Sequence, residues 1–223
     1  MADELKKGVI VEFDFAAMDG AEILYRTTEA LLKSIDIGFS PRIEALHLAG
    51  GNYQGGLAEY FAVVNTKKTA AKAAKDLAEG FATALNAAVP KAVTAGFRAF
   101  VKALAEKGVK VVIATRADVE TVKPAFADLL GENVVLYQET SPCYGSVKWD
   151  AWRRACAANR LRHLSTIAVT GSGYGVKSAL IAGMGSMAVT CDHVAYQDFG
   201  GADVVVSELS GKTAKKLIGV LRL

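Results

Sequence analysis

The sequence predicts an α/β fold: a Rossmann-like, mostly parallel sheet flanked by helices, with a helical cap inserted after the first strand. Three observations predict it. The β-branched run Val9-Ile10-Val11 reads as a buried strand that delivers one carboxylate, Asp14, to the first loop. From residue 110 onward, apolar runs of strand length alternate with segments of helical periodicity, and strands joined through helices require a largely parallel sheet with right-handed crossovers. Residues 19–92 carry no comparable strand alternation. The expected division is therefore a core of residues 1–18 and 93–223 and a cap of residues 19–92.

Taken in order, Ala21–Ile37 has helical spacing at Ile23, Thr27, Ala30, Leu31 and Ile35, and residues 38–66 are irregular or partly helical. Lys67–Val89 is the clearest helix, with Ala70, Ala74, Leu77, Phe81 and Leu85 expected to face inward and Lys68, Lys72, Lys75 and Glu79 outward. Pro90 is expected to begin a new segment leading into the helix Ala95–Lys107, which Gly108 stops. The alternation then runs strand Lys110–Ala114, helix Asp118–Leu130, strand Val134–Tyr137, helix Trp149–Asn159, strand Thr166–Thr170 and helix Tyr174–Ala182. Ser186–Cys191, a short strand at Asp203–Val206 and a terminal helix at Thr213–Leu221 complete it.

Composition narrows the function classes. A chain of 223 residues that is 52% hydrophobic has enough apolar surface for an ordered core. No window approaches the run of about 18 apolar residues that crosses a bilayer. The opening Met1-Ala2-Asp3-Glu4-Leu5-Lys6-Lys7 has early acids and no apolar stretch, so it does not read as a secretory leader. Cys143, Cys156 and Cys191 form neither a disulfide framework nor a CxxC pair. The expected setting is the cytoplasm or another reducing intracellular compartment. A net charge of +3 is too small to mark a nucleic-acid binder. Residues 67–110 hold nine basic residues and three acids, a pattern that a solvated helix face explains. His47 and His163 stand alone without metal-ligand spacing, and His193 reads as a loop residue.

Several short motifs follow one another in a telling order. Phe13-Asp14-Phe15-Ala16-Ala17 follows the first strand, Val112-Ile113-Ala114-Thr115-Arg116 the second, and Lys148 comes after the third. Ile167-Ala168-Val169-Thr170-Gly171-Ser172-Gly173-Tyr174-Gly175-Val176 then leads into Ala179-Leu180-Ile181-Ala182-Gly183-Met184. In this order the chain resembles the haloacid-dehalogenase-like hydrolases, especially the phosphoglycolate-phosphatase and β-phosphoglucomutase-like branch, over nearly its whole length. The resemblance implies that Asp14 is the nucleophile of an active enzyme or its vestige, that Thr115 and Lys148 bind phosphate, and that Mg²⁺ assists an active member.

Two positions depart from the family pattern. Ala16 stands where the resemblance implies the general acid and base, and a methyl group transfers no proton. Thr170-Gly171 stands where metal-binding acids are implied, and Mg²⁺ wants carboxylates for charge balance. Asp150, Asp192 and Asp198 are the nearest substitutes by sequence. No residue is assigned to a metal, and no cofactor is expected unless the chain is an active phosphatase using Mg²⁺. The run Gly171-Ser172-Gly173-Tyr174-Gly175 has the look of an anion nest but fits neither a Walker loop nor a dinucleotide fingerprint.

The resulting expectation is a catalytically degenerate protein serving as a structural, regulatory or complex-subunit module. The alternatives are an atypical small-molecule phosphatase or hydrolase, or a sensor of a phosphate-containing ligand. A protein partner or a second copy is expected, with the basic helix or the Trp149–Trp152 region as the contact. Membrane insertion is not expected, nor is nucleic acid. Restoring both Ala16→Asp and Gly171→Asp is expected to give the first Mg²⁺-dependent turnover.

Overall fold

A computed structural model describes residues 6–42, 53–139 and 149–221. Lys148, His47 and Cys143 lie outside the described residues. Six parallel strands form one sheet in the order β3-β2-β1-β4-β5-β6. They are β1 (Lys6–Glu12), β2 (Lys110–Thr115), β3 (Val134–Gln138), β4 (Leu161–Thr170), β5 (Gly185–Val189) and β6 (Val204–Val206). The two innermost strands, β1 and β4, read as continuous apolar runs where helices cover both faces. The chain order reverses beside β1, where the first strand lies between the second and the fourth. The crevice outside the carboxyl ends of the strands at such a switch point is where ligands bind in open α/β sheets.

Helices follow the expected alternation. A single turn, α1 (Phe13–Ala16), leaves β1 directly and leads into α2 (Gly20–Ser34). Next come α3 (Tyr53–Val63), α4 (Ala70–Ala92) and α5 (Ala95–Ala105), before the chain enters β2. The short α6 (Val119–Val122) links β2 to β3, and α7 (Trp149–Ala158), α8 (Gly173–Ile181) and α9 (Gly211–Leu221) complete the set among the described residues. The expected helix Asp118–Leu130 is broken. Asp118 caps α6 by accepting from the Thr121 amide, and after one turn the chain tightens into a 3₁₀ segment at Lys123–Phe126. Pro124 explains the break, because it lacks an N–H and restricts the residue before it.

Pro90 shows the opposite correction. Helix α4 continues through it to Ala92, with Pro90 on the exposed side. The new segment begins only at Thr94, whose hydroxyl accepts from the Phe97 amide and caps α5. The buried stripe of α4 is Ala73, Leu77, Phe81, Leu85 and Val89, one residue every fourth position. Ala70 and Ala74 flank that stripe and are only half-buried, whereas Lys68, Lys72, Lys75 and Glu79 are exposed as expected. Lys72 and Lys75 are each paired one turn on, with Asp76 and Glu79. Much of the basic character of this face is thus offset locally.

The apolar residues of α2, α3 and α4 belong to the same hydrophobic cluster as one face of the sheet. Phe81 reaches Phe15 of α1 with ring centroids 6.2 Å apart, so the helical segment rests on the first loop. Phe81→Ala is expected to cost about 3–5 kcal/mol, as truncating a buried aromatic usually does, while Lys72→Ala stays within about 0.5 kcal/mol. Paired urea denaturation curves measure both, and equal midpoints would refute this packing.

Candidate functional site

The site is built at the switch point from the ends of β1, β2 and β4. Parallel register sets Glu12 beside Ala114, which brings Thr115 and Arg116 up to the loop after β1. Val11 lies opposite Val169, which brings Thr170 to the other side of Glu12. The structure therefore gathers Asp14, Thr115, Thr170 and Gly171 around Glu12 and Phe15.

What it gathers is a closed ionic cluster. Asp14 is wholly buried. Its Oδ1 accepts from the Thr115 hydroxyl at 2.5 Å, and its Oδ2 accepts from the Arg116 amide at 2.7 Å. The Arg116 guanidinium is 3% exposed and places Nη1 3.4 Å from both Asp14 Oδ2 and Glu12 Oε1. Glu12, also buried, accepts from the Thr170 hydroxyl at 2.5 Å through its other oxygen. Phe15 closes one side, with the guanidinium carbon 5.6 Å from its ring centre. Thr170 thus serves Glu12, and Thr115 holds Asp14 in place.

Burial pushes the Glu12 carboxyl up to about 7, against the pull of Arg116 and the Thr170 hydroxyl. Burial likewise raises Asp14, with Arg116 and the Thr115 hydroxyl opposing. The buried Glu139 also acts on the Arg116 guanidinium, and it pairs in turn with Arg154, so the cluster extends beyond the two carboxylates that Arg116 touches. With Glu12 raised, folded protein holds a proton that the unfolded chain has lost between about pH 4.5 and about pH 7. The Glu12 contribution to stability is fully present below that window, falls as pH rises through it, and is gone above. The fall attributable to Glu12 is about 3 kcal/mol in order of magnitude. Glu12→Gln is expected to flatten it and to leave the variant at least as stable as the native protein at pH 8. Denaturation midpoints from pH 5 to 8 test this, and an unchanged slope in the variant would contradict it.

These residues do not fit Mg²⁺. The ion needs oxygen ligands in near-octahedral array with carboxylates for charge balance, yet the buried Arg116 guanidinium already stands 3.4 Å from both Asp14 Oδ2 and Glu12 Oε1 and would repel a second cation there. Nor has the second ligand position room for a side chain. A Cβ at Gly171 would lie 1.8 Å from the Phe15 carbonyl oxygen, so the glycine allows the β4 loop to pass directly against α1. The glycine run packs in the same way further on, since a Cβ at Gly175 would meet the Thr170 hydroxyl at 1.9 Å. Ala16, by contrast, borders a cavity of about 340 Å³ that opens between α1, the start of α5 and the segments after β5 and β6.

The acids nearest by sequence are engaged elsewhere. Asp150 pairs with Arg154 and Asp198 with Lys177, while Asp192 is exposed on a 3₁₀ turn. His163 lies in β4, and His193 lies in the 3₁₀ turn after β5. Trp152 is a core residue whose indole N–H donates to Ser178 at 2.9 Å; Trp149 is half-exposed beneath the Arg153 guanidinium. Sequence reasoning missed Glu12 and Arg116. A signal was present: a carboxylate between Val11 and Phe13, inside an apolar strand, requires a cation, and Arg116 ends the adjacent strand.

No family model matches the chain, and no curated protein matches it. Solved structures do. A β-phosphoglucomutase from Clostridium difficile superposes with a TM-score of 0.69 at 12% identity, over 97% of this chain and 96% of that one. CbbY from Rhodobacter sphaeroides, solved with xylulose-(1,5)bisphosphate, gives 0.66 at 14% identity over 91% and 94%. A hydrolase from Pseudomonas syringae gives 0.66 at 16% identity over 96% and 99%. The chain therefore shares its fold with these β-phosphoglucomutase, CbbY and hydrolase structures.

Proposed function

We propose that this chain is a catalytically degenerate protein of the haloacid-dehalogenase-like fold, kept as a structural, regulatory or complex-subunit module, with residues 19–92 as a cap on the core. The observation that carries the reading is the state of Asp14. A nucleophilic carboxylate must reach phosphorus in line with the leaving group, whereas this one is buried and held by Thr115 and Arg116. Ala16 offers no proton for a leaving group. The Arg116 guanidinium supplies inside the fold the positive charge that a metal ion would bring to paired carboxylates. A cluster of this kind supports a role in holding the loops after β1, β2 and β4 together.

The test is turnover by the purified native chain. With an aryl phosphate and millimolar Mg²⁺, it is expected to show no hydrolysis that Asp14→Asn removes. A rate of about 1 s⁻¹ or more, at the low end of ordinary enzyme turnover and abolished by Asp14→Asn, would overturn the reading and favour an atypical hydrolase. Native purification followed by mass spectrometry of the co-purifying subunits tests the module role without a guessed substrate.

A further inference from the structure

We propose that Asp19, Glu22 and His193, with Cys191 as a fourth donor, form a binding site for a single divalent ion of the Zn²⁺ class. The proposal concerns a different locus from the Asp14 cluster and does not depend on whether the chain hydrolyses anything. Asp19 and Glu22 lie at the start of α2; Cys191 caps the 3₁₀ turn after β5 and His193 lies within it. One ligand atom from each of Asp19, Glu22 and His193 falls within 4.8 Å of the other two. Cys191 Sγ stands 3.7 Å from Asp19 Oδ1. Two segments distant in sequence thus bring together two carboxylates and an imidazole, with a thiol beside the Asp19 carboxylate.

The imidazole distinguishes this cluster from a chance grouping of surface acids. His193 Nδ1 is shielded from solvent and has no hydrogen-bond partner among the described residues. The Asp19 carboxylate lies 3.6 Å away, too far for a good hydrogen bond. The ring is steadied by Tyr25 of α2, with centroids 5.8 Å apart. A nitrogen lone pair facing a carboxylate at this separation suits an ion between them, since tetrahedral Zn²⁺ holds nitrogen and oxygen at about 2.0–2.2 Å. The ligand atoms would close by about 1 Å on metal binding, which half-exposed side chains can do by small rotamer changes.

Donor chemistry selects the metal. Imidazole and thiolate favour Zn²⁺ and related borderline ions over Mg²⁺ or Ca²⁺, which prefer oxygen alone. The competing interactions are weak ones. Glu22 also sits 3.5 Å from Arg26, an exposed pair one turn apart, and such pairs contribute little. Asp19 caps α2 by accepting from the Glu22 amide at 2.9 Å through Oδ1, and Oδ2 still faces His193. Asp19 and Cys191 also line the cavity of about 340 Å³, which gives the ion a route in.

The test uses the full chain, stripped with chelator, and titrated calorimetrically with ZnCl₂. One equivalent is expected to bind with a Kd in the micromolar range or below, and thermal unfolding is expected to move upward with added Zn²⁺. Asp19→Asn keeps a good helix cap, and His193→Gln changes a half-exposed loop residue. Each should fold normally by circular dichroism and bind Zn²⁺ about 100-fold more weakly or worse, beyond the usual effect of losing a supporting residue. Co²⁺ should give a thiolate charge-transfer band that Cys191→Ser removes. Absence of stoichiometric binding by the native chain, or native affinity in both folded variants, would overturn the site. A Co²⁺ complex without the thiolate band would remove Cys191 from the ligand set.

Discussion

Putting an acid back at position 171 is expected to destroy the fold at this corner and to restore no metal site. The first carbon of any side chain there would lie 1.8 Å from the Phe15 carbonyl oxygen and 2.4 Å from its carbon. Both are backbone atoms of α1, itself fixed by the buried Asp14 and by packing of Phe13 against Phe97 and Phe126. No flexible side chain can yield, so the β4 loop or α1 must move. Gly171→Ala alone is expected to cost about 3 kcal/mol, the upper range for overpacking. Gly171→Asp adds a buried charge next to two others and should exceed about 4 kcal/mol, a loss that unfolds many single domains. Thermal melts of the two variants, read with their elution volumes, measure this. Ala16→Asp points at the cavity and should be far milder. The paired restoration expected from motif comparison therefore fails on the Gly171 side. A Gly171→Asp protein that melts like the native chain would refute the close approach described here.

Much of this architecture is legible in the sequence. Val9-Ile10-Val11, Val111-Val112-Ile113 and Ile167-Ala168-Val169 are apolar on both faces, which only a covered parallel sheet explains. Leu77, Phe81 and Leu85 reveal α4 by their spacing alone. Periodicity does not report where a proline is tolerated, because that depends on what the freed carbonyl meets. Pro90 therefore reads as a start although α4 runs through it, and the break at Pro124 does not show in the spacing. At the site, Ala16 and Gly171 were visible as missing acids. What replaced their chemistry was not. A glycine at 171 reads from sequence as a deletion of function, whereas in three dimensions it is the condition for backbone contact with Phe15. Glu12 and Arg116 are ordinary charges in the sequence, 104 positions apart, and only the β1–β2 register turns them into a buried pair.

Removing the Arg116 guanidinium is expected to be the most damaging single change to the charge cluster. It stands 3.4 Å from a carboxylate oxygen of Glu12 and of Asp14, and both acids are buried. Arg116→Met keeps most of the side chain's length and its packing on Phe15 while deleting the charge. The two carboxylates then face each other in a poorly solvated interior. Breaking a buried ion pair from one side typically costs about 3–5 kcal/mol, and that range is expected at pH 8. The loss should shrink towards pH 5, because both carboxyls are already raised by burial and protonation removes their need for a cation. Replacing all three charges together, as Glu12→Gln, Asp14→Asn and Arg116→Met, should recover most of the stability, since neutral groups of similar volume need no counter-ion. Urea denaturation of the single and triple variants at both pH values decides the matter. A single variant losing less than about 1 kcal/mol at pH 8 would mean that the carboxylates are already protonated there or are reached by water. A triple variant no better than the single would place the arginine's contribution in packing instead of charge.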